Sequence, residues 1–228
     1  VQRRKDKLNK EAKRGNKEAV ALMAIIEKME PHLGEGNPAI TCELSREEAD
    51  LAKHLFLLSG KPTLFAANLK DSELAEADSN PFFKEVREYA AKHHGCETVV
   101  ISAQIESELI DLSENEAREF LSEMGVNESG AGQLIQKSYS LLGLQTYFTT
   151  GEKETRAWTI RKGDTAPKAA GVIHGDFERG FIKAETVAYN DLIECGSIAT
   201  ARDRGLYRME GKEYVVQEGD VMLFKFNV

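Results

Sequence analysis

The sequence predicts an α/β chain in three consecutive parts: an exposed helical hairpin, a segment of parallel α/β sheet, and a small strand-rich α+β domain. Three observations predict it. Residues 2–33 show two helical patterns with a turn signal, Gly15-Asn16, between them. Two short apolar runs, 63–68 and 98–102, flank an amphipathic helical stretch, which is the strand–helix–strand order of a parallel sheet. From Gln145 onward the texture turns β-rich.

In the hairpin, the first helix is nearly all charge, with only Leu8 and Ala12 on a weak apolar stripe. It is therefore expected not to be a core helix. In the second, Leu22, Ile25, Ile26 and Met29 recur at three- and four-residue spacing and give one apolar face. Residues 34–38 read as a linker. Ser45-Arg46-Glu47-Glu48 matches a capping box, and Leu51, Leu55 and Leu58 follow as that helix's apolar face until Gly60 and Pro62 stop it. Residues 63–68 read as a strand covered on both faces. A helix follows over 81–94 with Phe82, Val86 and Ala90 as its inner face, then a second buried strand over 98–102. Two strands do not make such a sheet alone, so further strands are expected upstream of Val1. Residues 113–124 and 130–142 are amphipathic helices, the first opened by the capping box Ser113-Glu114-Asn115-Glu116.

In the last part, strands are expected over 146–150 and 154–160, joined by a Gly151-Glu152-Lys153 hairpin turn. A single helix over 167–177 starts with Pro167 in its first turn. Further strands are expected over 181–189, 213–216 and 221–226. This arrangement of strands before and after one helix over some 85 residues suggests an α+β domain of the ubiquitin-like β-grasp type.

Composition sets the outer limits. The 228 residues suffice for one to two domains with a sizeable core. The formal charge of −8 excludes a globally basic nucleic-acid coat but leaves room for local patches. One such patch is plain: residues 1–17 hold eight basic residues against two acidic ones, Asp6 and Glu11. Arg3, Arg4, Lys7, Lys10 and Arg14 are the candidate contacts of an arm for RNA phosphates, the plainer reading being a solvated helix. Cys42, Cys96 and Cys195 are scattered and odd in number, which points to reduced thiols in the cytoplasm. No apolar run reaches membrane-spanning length, and the first residues do not read as a signal peptide. The chain opens in mid-helix without an initiator Met, as expected of a piece of a longer protein.

The sequence contains no G-x-x-x-x-G-K-[ST] phosphate loop, no G-x-G-x-x-G, no H-E-x-x-H and no G-x-S-x-G. His93 and His94 are helix neighbours about 100° apart and make poor joint metal ligands. His174 reads as a packing or capping residue. The informative constellation is two strand ends: Asn68-Leu69-Lys70-Asp71 leaves the first strand and Ser102-Ala103 the second. Open α/β sheets bind ligands at the carboxyl ends of their strands. There Asn68 can hydrogen-bond a purine edge, Asp71 can accept from ring or exocyclic N–H groups, and the Ser102-Ala103 backbone can supply an amide. The pairing resembles the base-recognition ends of P-loop GTPases, N-K-x-D and S-A-K.

Further stretches carry a closer resemblance: Leu144-Gln145-Thr146-Tyr147-Phe148-Thr149-Thr150-Gly151, Arg156-Ala157-Trp158-Thr159-Ile160, Ala166-Pro167-Lys168-Ala169-Ala170-Gly171-Val172-Ile173-His174, Asp176 to Thr186, and Gly219-Asp220-Val221-Met222. They are similar to the TGS domain of the YchF family, the Obg-related ribosome-binding ATPases. The resemblance continues less densely to residue 1 and covers that family's carboxyl-terminal two-thirds. It implies the back half of a P-loop NTPase parallel sheet with an inserted helical hairpin, followed by a TGS β-grasp domain. The implied boundaries are 1–40 for the coiled-coil arm, 41–143 for the nucleotide-binding part with flanking helices, and 144–228 for the TGS domain. It further implies a cytoplasmic, ribosome-associated protein acting in translation or stress response, with the ribosome and rRNA as partners and neither membrane nor DNA. ATP is the implied nucleotide, because Leu69 stands where N-K-x-D has Lys. GTP stays possible, because Asp71 stands where the family usually has Glu. Asn68, Leu69, Asp71, Ser102 and Ala103 are the implied base contacts. The catalytic groups and the Mg²⁺ ligands of the intact protein are implied to lie outside these residues, so this stretch alone is expected not to hydrolyse nucleotide. The alternative is a non-catalytic RNA- or ribosome-binding module.

Overall fold

The computed structural model describes residues 2–94, 96–151 and 153–227. The chain divides into two units, Val1–Ser138 and Tyr139–Val228.

The first unit opens with α1 (Gln2–Ala12) and α2 (Lys17–Gly34). Gly15 turns between them at φ 86°, a conformation that favours glycine. Asn16 caps α2 by accepting from the Glu18 and Ala19 amides at 3.0 and 3.2 Å. The expectation that α1 stays out of a core holds for its charges but not for Leu8. That residue is 3% exposed and packs with Ala19, Leu22 and Ile26, with Ala12 alongside. One leucine thus seats a helix whose mean pattern is polar. The other edge of α2 places Ile25 and Met29 against Ala39, Leu44 and Leu57.

Beyond α2, α3 (Arg46–Ala52) carries the expected capping box, with Ser45 and Glu48 bonded reciprocally at 2.9 and 3.2 Å. Then come β1 (Phe65–Asn68), α4 (Pro81–His94) and β2 (Thr98–Ile101). The two strands pair in parallel, Phe65 opposite Thr98 through Asn68 opposite Ile101. The inner face of α4 keeps the expected Ala90, but Phe83 takes the place of Phe82 and Val86 is exposed. Phe83 and Ala90 are buried, whereas Phe82 is largely exposed. Positions 83 and 90 are two turns apart and share a face. The unit continues with α5 (Ala103–Leu109), which the sequence pattern does not reveal, α6 (Glu114–Glu123), opened by the Ser113–Glu116 capping box, and most of α7 (Gly130–Leu141), whose end belongs to the second unit.

The second unit holds a five-stranded mixed sheet of β3 (Leu144–Thr150), β4 (Thr155–Arg161), β5 (Phe181–Ala188), β6 (Arg208–Glu210) and β7 (Asp220–Phe226). The spatial order is β4-β3-β7-β5-β6. β3 runs parallel to β7, and the other neighbours are antiparallel. Glu152, in the turn expected between β3 and β4, lies outside the described residues. On one face, α8 (Ala166–Ile173) buries Ala166, Ala169 and Ala170 against Tyr147, Ile160, Phe181, Ala184, Met222 and Phe224. On the other, Val187 and Val221 pack with Leu192, Cys195 and Ala201 from α10 (Tyr189–Cys195) and α11 (Ile198–Asp203).

The expected helix over 167–177 is two helices. His174 adopts an extended backbone, φ −159° and ψ 141°, which ends α8 and starts α9 (Gly175–Arg179). Its Nδ1 accepts from the Asp176 amide at 3.2 Å, so it is a capping residue. The expected strand over 213–216 is a loop with a single bridge, Thr165 to Val215. β5 pairs instead with β6, whose three residues, Arg208-Met209-Glu210, are too short a run to betray it. Among the described residues, no helix is long and apolar enough to cross a membrane.

Candidate functional site

The parallel register fixes the geometry of the first site. Asn68 is the last residue of β1 and lies opposite Ile101, the last of β2. The chain leaving β2 therefore passes beside the Asn68 side chain. Its Oδ1 accepts from the Ala103 amide at 2.9 Å. A second bond crosses at the same level, from the Leu69 amide to the Ile101 carbonyl at 2.9 Å. The two strand ends singled out in the sequence are thus brought together and tied.

The details redistribute the expected contacts. The Ala103 amide, which the sequence reading offers to a base, is engaged by Asn68. Asn68 is exposed and keeps its Nδ2 donor. Ser102 is 2% exposed and caps α5 without a side-chain bond, and its Oγ has no hydrogen-bond partner among the described residues. It lines a cavity of about 70 Å³ with Leu74, Ile105, Leu121, Glu128 and Gln133. Asp71 opens a short 3₁₀ turn, and its Oδ1 accepts from the Ser72 amide at 2.7 Å. Leu69 is half-buried beside Asn68.

Gly130 is a supporting residue that the sequence reading does not single out. A Cβ there would lie 2.8 Å from the Ile101 Cα, so only glycine lets the start of α7 rest on the end of β2. The Ser129-Gly130-Ala131-Gly132 run is the sequence signal that could have marked it.

The second candidate site is the arm. Arg3, Arg4, Lys7, Lys10 and Arg14 are all exposed. Lys5 is set apart from them, because it is half-buried and its Nζ lies 2.5 Å from Glu30 Oε2. That bond holds the ammonium charged and pushes its pKa up. The arm is thus fastened on one side by Leu8 and the Lys5–Glu30 pair, and its remaining cations face water.

Known proteins similar to this chain bear on its family. The family model YchF-GTPase_C, described as a protein of unknown function (DUF933), matches residues 144–227. Over all 228 residues the chain is 49% identical to a protein named ribosome-binding ATPase YchF from Bacillus subtilis (strain 168), and covers 62% of it. A Haemophilus influenzae protein of the same name is 46% identical over 97% of the chain, which covers 60% of that relative. The solved structure of the Schizosaccharomyces pombe YchF GTPase superposes with a TM-score of 0.77 at 33% identity, over 91% of this chain and 55% of that one. A GTP binding protein from Pyrococcus horikoshii OT3 shares the fold, with a TM-score of 0.54 at 17% identity over 92% of this chain and 57% of that one. The chain spans about three-fifths of the length of the curated relatives it matches. Along its length the chain is thus similar to proteins of one name, the ribosome-binding ATPase YchF.

Proposed function

We propose that the intact protein is a cytoplasmic, ribosome-associated, ATP-preferring Obg-type P-loop ATPase acting in translation or stress response. This chain would supply its base-contacting strand ends, a cationic arm over 1–40 and a TGS β-grasp domain over 144–228. The observation that carries the nucleotide reading is the 2.9 Å bond from the Ala103 amide to Asn68 Oδ1. It spends the oxygen of Asn68 on the protein and leaves the Nδ2–H₂ group to donate to a purine ring nitrogen. Leu69 would pack on the base face, and the second carboxylate oxygen of Asp71 would accept from the exocyclic amine. Ser102 and Ala103 would act by holding Asn68, since the Ser102 hydroxyl is buried and the Ala103 amide is occupied.

These residues fit a base. A triphosphate and its Mg²⁺ require a glycine-rich phosphate cradle and oxygen ligands, and the 228 residues contain no phosphate-loop motif. Phosphate handling and hydrolysis are therefore assigned to the remainder of the intact protein, and this chain's residues bind and orient the base. The arm residues Arg3, Arg4, Lys7, Lys10 and Arg14 are proposed to meet ribosomal RNA, in keeping with the ribosome-binding name of the relatives.

Leu69→Lys in the intact protein tests the nucleotide reading. It recreates N-K-x-D with the Asp71 already present, and the GTP-to-ATP affinity ratio should rise by roughly tenfold or more. Competition binding with both nucleotides reads the ratio. An unchanged ratio would remove Asn68-Leu69-Lys70-Asp71 from the base site and favour the non-catalytic binding module.

A further inference from the structure

We propose that the free edge of β4 takes up an extended, acidic segment of another protein as an added strand of the second unit's sheet.

The edge follows from strand order and register. β4 stands at one end of the sheet and β6 at the other. β6 has only three residues, and a very short edge strand protects itself. β4 has seven, contains no proline and keeps an unbroken register with β3. Antiparallel pairing alternates residues that bond the neighbouring strand with residues whose amide and carbonyl point away from it. Two bonds at the ends of the ladder show which are which. The Gly151 amide donates to the Glu154 carbonyl at 3.0 Å, and the Lys162 amide donates to the Gly143 carbonyl at 2.8 Å. Positions 156, 158 and 160 therefore bond β3, and positions 155, 157, 159 and 161 point outward. Arg161 bears this out: its amide donates to Asp164 Oδ2 at 2.9 Å, and its carbonyl accepts from the Asp164 amide at 3.1 Å. The amides and carbonyls of Thr155, Ala157 and Thr159 have no hydrogen-bond partner among the described residues. Tyr139 touches Thr159 through its hydroxyl, at 3.1 Å, and leaves the backbone open.

Three outward donors and three outward acceptors thus recur at a repeat of about 6.8 Å. Another extended backbone presents the complementary set, which selects a peptide over a nucleic acid. Charge then selects the peptide. Residues 153–162 carry Lys153, Arg156, Arg161 and Lys162 against Glu154 alone, on a chain of formal charge −8. A second copy of β4, paired antiparallel about Ala157, would set Lys153 of each chain opposite Arg161 of the other. Like charges directly opposite are unfavourable. An acidic strand meets the same cations with the opposite sign. Side chains suit alternation in the incoming strand. Trp158 is half-buried on the α8 face, with the Arg156 guanidinium 4.2 Å from its ring centroid, and offers apolar surface. On the other face Ala157 is small and exposed, which leaves room for carboxylates to reach toward Lys153 and Arg161.

The probe is a blocked seven-residue peptide of alternating valine and aspartate, added to the 228-residue chain. At ten times its dissociation constant it should slow hydrogen exchange of the Thr155, Ala157 and Thr159 amides by about tenfold. The Arg156 and Trp158 amides, already bonded to β3, should change little. The same peptide with lysine for aspartate should bind roughly tenfold weaker or worse. Ala157→Pro removes an outward donor without touching the β3 ladder, at a kind of position where edge strands accept proline. It should weaken binding by roughly tenfold, with circular dichroism checking the fold. Lys153→Glu with Arg161→Glu alters only exposed side chains and carries the test if the proline variant does not fold. It too should weaken binding by roughly tenfold. Thr155, Ala157 and Thr159 amides that exchange as slowly as their neighbours in the free chain would overturn the open edge. No binding at about 1 mM peptide, or unchanged binding by the charge-reversed double, would overturn the acidic strand. Equal binding of the lysine peptide would do the same. Self-association lost in Ala157→Pro would make a second copy the occupant and overturn the foreign one. Protection of the same three amides by single-stranded RNA instead of peptide would overturn a protein partner. Peptide binding to this chain but not to the intact protein would overturn a separate partner and assign the edge to the intact protein's own remainder.

Discussion

Replacing Asn68 by Ala and by Asp separates the two tasks assigned to its side chain. Ala removes both the oxygen that accepts from the Ala103 amide at 2.9 Å and the Nδ2 donor proposed for the base. Asp keeps an acceptor oxygen, loses the donor and adds a carboxylate charge. A typical intramolecular hydrogen bond contributes about 0.5–1.5 kcal/mol net. At about 1.36 kcal/mol per decade, its loss should speed local opening at Ala103 by roughly 2- to 13-fold. Both residues are exposed, so water can replace the lost acceptor and the lower end of that range is expected. Hydrogen exchange of the Ala103 amide reads the tie directly. Asn68→Ala should exchange faster there, and Asn68→Asp should stay close to the parent. ATP affinity, measured in the intact protein, should fall by roughly tenfold in both variants, because a site built around a donor discriminates against its absence. An Asn68→Asp protein that binds ATP like the parent would refute the donor role. Unchanged exchange at Ala103 in Asn68→Ala would refute the tie.

The remaining predictions concern the second unit, where Trp158, the sole tryptophan, reports unfolding by fluorescence. Tyr147 is fully buried and its hydroxyl donates to the Ala169 carbonyl at 2.9 Å, with burial pushing the phenol's pKa well up so that it stays protonated. Tyr147→Phe should cost about 1 kcal/mol in urea unfolding, and an unchanged midpoint would show that the bond contributes nothing. Glu185 accepts from the Tyr207 hydroxyl at 2.8 Å and faces Arg202 and Lys225, and the Tyr207 bond leads in holding its carboxyl below the usual range. A depressed carboxylate stabilises the fold above its unfolded pKa, near 4.5, and loses that contribution as pH falls through the lower folded value. The stability difference between the parent and Glu185→Gln should therefore shrink as pH drops below about 4.5, and a difference constant from pH 7 to 3 would remove Glu185 from the acid response.

The parts of the fold that were legible are those decided within a few residues. The Ser45 and Ser113 capping boxes, the Gly15 turn and the two apolar strands all rest on local chemistry. The parts that were not legible depend on a partner distant in the chain. β6 is a strand because β5 offers it an edge, from Ala184 opposite Glu210 to Thr186 opposite Arg208, while the more strand-like residues 213–216 have only one bridge. His174 breaks a helix that its neighbours would continue, because its ring caps the next one. On α4 the phase of the apolar face was ambiguous between adjacent phenylalanines. Phe83 won because it shares a face with Ala90, a fully buried position.

The candidate base site shows the same division and suggests how specificity could be carried. The spacing of Asn68 and Ser102-Ala103 sufficed to put both residues at strand ends. It could not reveal that Asn68 would spend its oxygen on Ala103, because that bond needs the parallel register that sets Asn68 opposite Ile101. The scaffold of the site is thus closed on itself, with Gly130 resting against Ile101 and the tie made by groups common to many strand ends. Under the proposed reading, what remains to distinguish one base from another is the pair of side chains that the scaffold does not use, Leu69 and the free oxygen of Asp71. A change of base preference then needs no movement of the backbone, only a change in those side chains. Leu69→Lys makes that change on an intact tie, whereas Asn68→Ala breaks the tie itself. The first should exchange one nucleotide for another and the second should weaken both.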